Sequence, residues 1–217
     1  MLRIGIDATP LMRQPTGVGL FVRYLIDELQ HHRLELKPFA VSRRAKNELR
    51  PLLPEGMIGF SSQFPAPLVH RMWPRFEFPK IEGWTGPIDV AHGTNYVIGP
   101  TKAGSIVTVH DLTVLRHPEW VQSASLRFPE LIRRAIGRGA TLQCFTNLVA
   151  DQITEDFHLS TDRIAVIQPG IIPVPEADAN SARQQLGTGR YVLAIGTVEP
   201  RKNLANLLRA FDLVTEG

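Results

Sequence analysis

The chain contains 217 residues, of which 43% are hydrophobic and 21% are charged. These fractions are typical of globular proteins with a packed core, and the length allows one large domain or one domain and part of a second. The 24 basic and 21 acidic residues leave a net charge of +3. So small an excess argues against a protein that coats nucleic acid, and the sequence has no known nucleic-acid-binding motif.

Cysteine content and apolar runs indicate the compartment. Cys144 is the one cysteine of the sequence, so an internal disulfide cannot form and a reducing compartment is expected. No run approaches the roughly 18 consecutive apolar residues of a membrane span. The start, MLRIGID, has the pattern of a short charged strand rather than of a signal peptide. The sequence therefore predicts a cytoplasmic protein.

Apolar runs alternate with helical patterns along the first 170 residues. Leu2–Asp7 is predicted as a strand, and Val18, Val22 and Leu25 then recur at helical spacing. Further strands are predicted at LELKPFAV, Asp89–His92, Ser105–Asp111, TLQCFT and RIAVIQPG, and helices at Ser125–Arg138 and Asn147–Phe157. Phe60–Trp84 fits this alternation least well. The pattern predicts an α/β fold with a doubly wound parallel sheet of the Rossmann-like type.

The sequence also predicts a domain boundary. Residues 1–170 are assigned to the Rossmann-like domain, and prolines with a falling apolar periodicity predict a linker with a short helix at 171–189. The stretch YVLAIGTVEPRKNLANLLRAF, Tyr191–Phe211, then contains an apolar strand, a glycine turn and an amphipathic helix. Residues 190–217 are therefore predicted to begin a second Rossmann-like domain.

Ligands of open parallel sheets bind beyond the carboxyl ends of the strands, so the loops there are candidates for a site. In PTGVGLFVRYL, Gly17 and Gly19 allow the backbone to approach a ligand, and Thr16 is a candidate helix cap. Free amides at the start of a helix favour phosphate. Simple turn chemistry is an equal alternative, because Val22 occupies the last glycine position of the G-x-G-x-x-G fingerprint.

Two further loops follow predicted strands and carry polar groups. In TVHDLTVLRHPEW, His110 and Asp111 lie at a strand end, where a histidine can donate or accept a hydrogen bond near neutral pH. In the alternative interpretation, Asp111 caps the next segment and His110 fills a polar gap. In HGTNYVIGP, Asn95 and Tyr96 are candidates to present polar groups into the same cleft, and turn formation is at least as good an alternative.

Arg201 and Lys202 follow the glycine turn of the last predicted unit. Cations are usually found at the carboxyl ends of helices, where the helix dipole favours them. Two cations at an amino end fit an anionic ligand, and the position of Gly196 before them favours a diphosphate. A solvated surface pair is the alternative.

The order of these loops is similar to that of a known family. The chain resembles the amino-terminal portion of the family 4 glycosyltransferases, enzymes of the GT-B fold in which two Rossmann-like domains face each other across a cleft. The resemblance covers nearly the whole chain. It rests on IGIDATPL with TGVGLFVRYL, VAHGTNYVIGP, IVTVHDLTVLRHPEW, FTNLVADQI, IAVIQPGI and YVLAIGTVEPRKNLANLLRAF, in that order.

The resemblance implies roles for the candidate residues of the first domain. Gly17 and Gly19 match the glycine loop that approaches the donor phosphates. His110 matches a histidine that lines the active site and helps to place the transferred sugar, with Asp111 beside it. Asn95 and Tyr96 remain candidates for contact with the acceptor.

The resemblance also implies that Lys202, with Arg201, holds the nucleotide diphosphate of a GDP- or UDP-sugar. Fixed cations and amides would stabilise the negative charge that grows on the leaving phosphate, so no metal or other cofactor is expected. The sugar is expected to keep its anomeric configuration. The expected setting is bacterial polysaccharide or lipid-linked glycan assembly, with mannose as one possible sugar and a glycan or lipid-linked acceptor.

The resemblance bears on completeness as well. The second domain of the family supplies two glutamates with seven residues between them, and no two glutamates of this sequence have that spacing. Family chains are much longer, so this chain is expected to end soon after its second domain begins and to be inactive alone. Two alternatives stay open: a non-catalytic acceptor-binding or interaction module, and another nucleotide-binding Rossmann enzyme, which the missing dinucleotide fingerprint disfavours.

Two segments are candidates for contact with a lipid-linked acceptor or with the inner face of a membrane. Ala66–Trp84 is rich in aromatic residues near basic ones. Ser125–Arg138 is rich in arginines, which are Arg127, Arg133, Arg134 and Arg138. The alternatives are core packing for the aromatic residues and a solvated helix face for the arginines.

Overall fold

The computed structural model describes residues 1–12, 16–43, 45–73, 75–171, 178–186, 191–196 and 198–215. The chain forms two compact units, Met1–Pro169 and Gly170–Gly217. Much of the predicted linker, at 172–177 and 187–189, lies outside the described residues. Within the described residues, no helix is both long and apolar enough to cross a bilayer.

The first unit is built on a parallel sheet. Its strands are β1 (Leu2–Asp7), β2 (Leu34–Ala40), β3 (Phe60–Ser61), β4 (Val90–Gly93), β5 (Gly104–Thr108), β6 (Thr141–Cys144) and β7 (Ile164–Val166). They lie in the order β3-β2-β1-β4-β5-β6-β7, and each neighbouring pair is parallel. The chain therefore builds outward from the centre in both directions, which confirms the predicted α/β fold with a doubly wound, Rossmann-like sheet.

Helices connect these strands. They are α1 (Gly17–Leu29), α2 (Ala45–Glu48), α3 (Ala66–Met72), α4 (Glu82–Thr85), α5 (Thr113–Arg116), α6 (Phe128–Gly137) and α7 (Asn147–Phe157). The helix predicted at Ser125–Arg138 is divided, because a 3-10 turn at Ser123–Arg127 precedes α6. Pro129 lies in the first turn of α6 and has no backbone N–H. It therefore cannot donate the hydrogen bond that would join α6 to a helix formed by the preceding residues. Phe60–Trp84 contains β3, α3 and most of α4, and these elements are too short to give a periodic pattern.

Apolar side chains pack on both faces of the sheet. Successive strand residues point to opposite faces, and in β2 Phe39 belongs to one buried cluster while Ala40 belongs to another. The first cluster includes Ile132 of α6 and Ile153 of α7, and the second includes Val22 of α1. Burial on both faces explains why the strands read as apolar runs rather than as alternating patterns.

The second unit is helical in its described part. It contains α8 (Ala179–Leu186), a 3-10 turn at Pro200–Lys202 and α9 (Leu204–Thr215). The prediction of a strand at Tyr191–Gly196 is wrong, because the segment has no ladder pairing and Ile195 is 85% exposed. A strand exists by pairing with a neighbour, and the described residues of this unit contain no other strand. Tyr191–Gly196 therefore has the apolar sequence of a strand but pairs with no other strand of the described residues.

Gly93 ends β4 in a tight approach to the following loop, and we expect Gly93→Ala to destabilise the first unit. An added Cβ would collide with the backbone carbonyl of Val97 and lie 3.0 Å from the Cβ of Ile98. Because backbone atoms cannot move aside cheaply, the free energy of unfolding should fall by about 3 kcal/mol. Urea denaturation followed by circular dichroism measures the change.

Gly17→Ala is the matched control. No heavy atom of the described residues lies within 4 Å of a Cβ built on Gly17, at the start of α1. The same substitution there should leave stability unchanged or raise it by up to about 1 kcal/mol. Equal losses in the two variants would contradict the assignment of Gly93 to a packing constraint.

Candidate active site

The candidate site lies at the carboxyl ends of β1, β4 and β5, which are neighbours in the sheet. Between β1 and β4 the chain switches from one half of the sheet to the other, and ligand crevices form at such switch points. Asp7 ends β1, Thr94 follows β4 and His110 follows β5. The fold thus brings polar residues from three distant parts of the sequence to one edge.

Thr94 joins these three segments. Its side chain is fully buried, and its hydroxyl donates a hydrogen bond of 2.6 Å to the backbone carbonyl of Asp7. Its own carbonyl oxygen lies 3.0 Å from Nε2 of His110. The end of β1, the loop after β4 and the segment after β5 are therefore held together by one residue.

The ring of His110 is held in one tautomer. Burial lowers its pKa, and the Thr94 carbonyl and the charge of Asp111 act in the opposite direction. A carbonyl only accepts, so Nε2 must carry the hydrogen of the neutral ring and Nδ1 the lone pair. Among the described residues Nδ1 has no hydrogen-bond partner. It is also not among the fully buried atoms, so it has some contact with solvent. His110 therefore presents a hydrogen-bond acceptor to solvent.

Aromatic rings surround His110. The ring centroids of Phe21, Tyr96 and Phe145 lie 5.8, 5.5 and 5.3 Å from the centroid of the imidazole. Phe21 belongs to α1, so the first half of this helix lies against the site. Tyr96 in turn stacks on Phe128 of α6, with 4.8 Å between the ring centroids. This apolar surrounding accounts for the burial that keeps the imidazole neutral.

The structure brings Tyr96 and Asp111 beside His110. The hydroxyl of Tyr96 accepts a hydrogen bond of 3.1 Å from the backbone amide of Asp111, and Tyr96 adopts the left-handed conformation, with φ 60°. The carboxylate of Asp111 accepts a hydrogen bond of 2.9 Å from the amide of Thr113, where α5 begins. Asp111 therefore holds the turn that leads into α5, whose N-cap residue, Leu112, has no side-chain cap. Asn95 lies directly before Tyr96, in a backbone bridge with Val97.

The glycine loop opens α1 at the same edge. The hydroxyl of Thr16 accepts a hydrogen bond of 3.2 Å from the amide of Gly19, so the predicted cap is present. A Cβ on Gly19 would lie 3.2 Å from the carbonyl oxygen of Pro10, which gives this glycine a packing role. The amides of Gly17 and Val18 have no intrahelical partner because they lie in the first turn. Contact of this loop with phosphate stays a prediction.

Arg201 and Lys202 lie in the second unit, on the 3-10 turn rather than on the helix that follows. Asn203, in the left-handed conformation with φ 53°, separates this turn from α9. The guanidinium of Arg201 pairs with Glu199 at 2.6 Å. The stem of Lys202 lies over Gly196, where an added Cβ would be 3.6 Å from the lysine Cε. The role of the two cations in diphosphate binding stays a prediction.

His92, in β4, belongs to a polar network that the sequence reasoning missed. Its Nε2 lies 2.8 Å from the hydroxyl of Thr108, which donates at 2.7 Å to the side-chain oxygen of Gln143. The amide nitrogen of Gln143 donates to two backbone carbonyls, so its oxygen is the acceptor for Thr108. The hydroxyl has one hydrogen, so Nε2 of His92 must carry its own. Burial and then interaction with His110 lower the pKa of His92 to about 4.

Asp7 is a second residue that the sequence reasoning missed. Its carboxylate accepts hydrogen bonds from the amide of Thr9, at 2.9 Å, and from the hydroxyl of the same residue. Burial raises the pKa of Asp7 to about 6, and these hydrogen bonds lower it by less. Asp7 ends the strand LRIGID, so the strand-end criterion that identified His110 would also have found it.

The arginine-rich and aromatic segments largely follow the alternative interpretation. Arg134 pairs with Glu130 at 2.9 Å and Arg138 with Glu77 at 2.8 Å, while the guanidinium of Arg133 lies 5.5 Å from the ring centroid of Phe157. In the aromatic segment Trp73 is buried in the core and Trp84 packs against it, whereas Phe76 and Phe78 are exposed. Contact with a lipid or a membrane stays a prediction.

Fold and site together define an α/β protein of the Rossmann-like class with a polar, histidine-containing crevice at its strand ends. No protein-family model matches the chain. The chain is 26% identical over 132 residues to the O-antigen chain mannosyltransferase B of Escherichia coli. This match covers 58% of the chain and 35% of that protein, so the chain corresponds to about a third of its curated relative.

We expect Asp7→Asn to stabilise the folded chain at neutral pH. With a pKa of about 6 in the folded state and an ordinary value of about 4, an ionised Asp7 at pH 7.5 destabilises the fold by about 1 to 3 kcal/mol. The folded state binds this proton more tightly than the unfolded state does. The destabilisation is therefore complete above pH 6 and decreases as the pH falls toward 4.

Urea denaturation at pH 7.5 and pH 4.5 measures this effect, and the asparagine oxygen still accepts the Thr9 hydrogen bonds. The control is Asp151→Asn, an exposed position on α7 that should show no such pH dependence. A loss of stability in Asp7→Asn at pH 7.5 would show that the ionised carboxylate is a stabilising group instead.

Proposed function

We propose that the native protein carrying this chain is a family 4 glycosyltransferase of the GT-B fold. It transfers a sugar, in this proposal mannose, from a GDP- or UDP-sugar to a glycan or lipid-linked acceptor in polysaccharide biosynthesis. The support is the partial similarity to the O-antigen chain mannosyltransferase B of Escherichia coli, together with the order of the motifs. The reaction is placed in the cytoplasm, with peripheral contact to the inner face of the membrane.

The observation that carries the proposal is the state of His110. A neutral imidazole with Nε2 bound to the Thr94 carbonyl has one open group, the Nδ1 acceptor. Such a group suits a sugar hydroxyl, which donates, and does not suit a phosphate, which needs donors. His110 is therefore assigned to the transferred sugar, and Asn95 with Tyr96 to the acceptor side of the same crevice.

Recognition of the donor diphosphate is assigned to other groups. Lys202 and Arg201 are cations, and the first amides of α1, near Gly17 and Gly19, are free to bind an anion as the amides of helix amino ends do. The Arg201 charge is partly neutralised by Glu199, so Lys202 has the larger role. Fixed cations and amides stabilise the charge that develops on the leaving phosphate without a metal ion. The transfer is therefore proposed to be metal-independent, and the resemblance to the family implies that the sugar keeps its anomeric configuration.

The test of the activity uses the native protein with radiolabelled GDP-mannose or UDP-glucose, bacterial membranes as the source of acceptor, and EDTA in parallel samples. Transfer of label to lipid-linked material, unchanged by EDTA, is the expected result. Binding of glycan without transfer from either donor would favour the non-catalytic acceptor-binding module. Transfer that EDTA abolishes would overturn the metal-independent mechanism.

We expect His110→Ala to lower kcat by about 10- to 100-fold in the native protein, because the transferred sugar loses a positioning hydrogen bond. The dissociation constant for GDP should change little, since the nucleotide contacts lie elsewhere. Initial rates and calorimetric titration measure the two quantities. His117→Ala is the control, because this exposed histidine stacks on Trp120 and, among the described residues, has no ring contact with those around His110. Weakened GDP binding with unchanged kcat would exclude the proposed role of His110.

We expect Lys202→Ala to raise the dissociation constant for GDP by about 10-fold or more, as the loss of one charge-assisted contact implies. The measurement is calorimetric titration of the native protein with GDP at two ionic strengths. Lys102→Ala, an exposed lysine in the loop before β5, is the control and should bind GDP as the wild type does. Unchanged affinity in Lys202→Ala would remove this lysine from the diphosphate site.

A further inference from the structure

We propose that His92 is a second sugar-binding residue, which accepts a hydrogen bond from one sugar hydroxyl while His110 accepts one from a neighbouring hydroxyl. This inference rests on the proposed function and makes it more specific. It assigns to the crevice a pair of fixed, neutral acceptors that selects the arrangement of hydroxyls on the ligand.

The register of the sheet places the two histidines on the same face. His92 pairs with Ile106 in β5, so Thr108, two residues further along that strand, lies on the same face as His92. Thr108 binds the His92 ring directly. His110 continues two residues beyond Thr108, and it lies close enough that a charge on its ring would lower the pKa of His92. The two imidazoles are therefore neighbours at one edge of the sheet.

The same face is the one that α1 covers. Ile6 of β1 pairs with His92 and belongs to the buried cluster that includes Val22 and Ile26 of α1. Phe21, in the same helix, contacts the ring of His110. Asp7 follows Ile6 and points to the opposite face, with Phe39. The pair of histidines thus lies beside the helix whose first turn is assigned to the donor phosphates, and apart from the carboxylate of Asp7.

Internal hydrogen bonds leave one open atom on each ring. Nε2 of His92 donates to Thr108, and Nε2 of His110 donates to Thr94. Neither Nδ1 atom has a hydrogen-bond partner among the described residues. Neither of the two atoms is fully buried. Both nitrogens are therefore accessible and, because burial lowers the pKa of both rings, both are lone-pair acceptors at neutral pH.

Two adjacent acceptors without a donor define the chemistry of the ligand. A phosphate or carboxylate oxygen would face two lone pairs and gain nothing, whereas hydroxyl groups donate one hydrogen bond to each nitrogen. The network behind His92 is fully paired through Thr108 and Gln143, so the ring cannot rotate without breaking a buried hydrogen bond. A fixed pair of acceptors of this kind discriminates between sugars by the positions of their hydroxyls.

The test separates binding from the structural role of His92. The side-chain nitrogen of Gln reaches the position of Nε2, so His92→Gln keeps the bond to Thr108 and removes the Nδ1 acceptor. The side-chain oxygen of Asn reaches the position of Nδ1, so His92→Asn keeps the acceptor and loses the bond to Thr108. A structural role predicts that His92→Asn is the damaged variant, and the sugar-binding role predicts that it is His92→Gln.

The measurement is a titration of the histidine-labelled chain with methyl α-D-mannopyranoside, followed through the Nδ1 resonances of His92 and His110. Both signals should shift and saturate with one dissociation constant. His92→Gln should raise that constant about 5- to 10-fold, as the loss of one hydrogen bond implies. His92→Asn should retain binding within about 2-fold, and so should the control His117→Gln.

Several outcomes would overturn the inference. These are the absence of a saturable shift, a shift of His110 alone, unchanged binding in His92→Gln, and a response to micromolar Zn²⁺ in place of the sugar. The readout needs no donor and no turnover. If the native protein transfers sugar while His92→Gln binds the mannoside normally, this inference fails and the proposed function stands. If both resonances respond to the mannoside but no transfer occurs, the site stands as a glycan-binding site and the proposed function fails.

Discussion

The geometry of the crevice depends on the two hydrogen bonds of Thr94. Its buried hydroxyl holds the carbonyl that ends β1, and its carbonyl holds the ring of His110. Neither group has access to water, so losing either bond leaves a buried polar atom unpaired, which costs about 1 to 3 kcal/mol. The loop that carries Thr94 is fixed in turn by Gly93, which lies against the Val97 carbonyl, and by the amide of Tyr96, which donates to the Thr108 carbonyl. Backbone contacts thus set the side-chain positions of the site.

These contacts also determine the charge state of the crevice. In His92 and in His110, the N–H group at Nε2 donates a hydrogen bond to an internal acceptor. Burial lowers the pKa of both rings, so both are neutral. The same burial acts in the opposite direction on Asp7, because a carboxylate is charged without its proton and its pKa rises. The two neutral imidazoles therefore lie on one face of the sheet, and the carboxylate of Asp7 lies on the other. Ionisation of this carboxylate lowers the stability of the fold. Such perturbed groups are common at functional sites.

The sequence predicts well those features of the fold and the site that depend on local residue patterns. The strands of the first unit except β3, together with the helices α1 and α7, follow from apolar runs and periodicity, and His110 follows from its place after a strand. The prediction of a strand at Tyr191–Gly196 is wrong because a strand needs a paired neighbour, and a local sequence pattern cannot show whether one is present. His92 escapes detection for a related reason. It lies inside a strand, and its importance comes from Thr108 and Gln143, which only the sheet register brings together.

The two units differ in the kind of ligand that their polar groups can bind. The crevice of the first unit offers hydrogen-bond acceptors, the Nδ1 atoms of His92 and His110, which suit the hydroxyls of a sugar. The turn of the second unit offers cations, with Lys202 as the one that Glu199 does not pair in the described structure. A nucleotide-sugar has both kinds of group, hydroxyls on the sugar and negative charge on the diphosphate. If each unit binds the part that its chemistry suits, the sugar and the diphosphate are recognised by different units. Specificity for the sugar and affinity for the nucleotide are then separable properties, because different side chains with different electrostatics determine them.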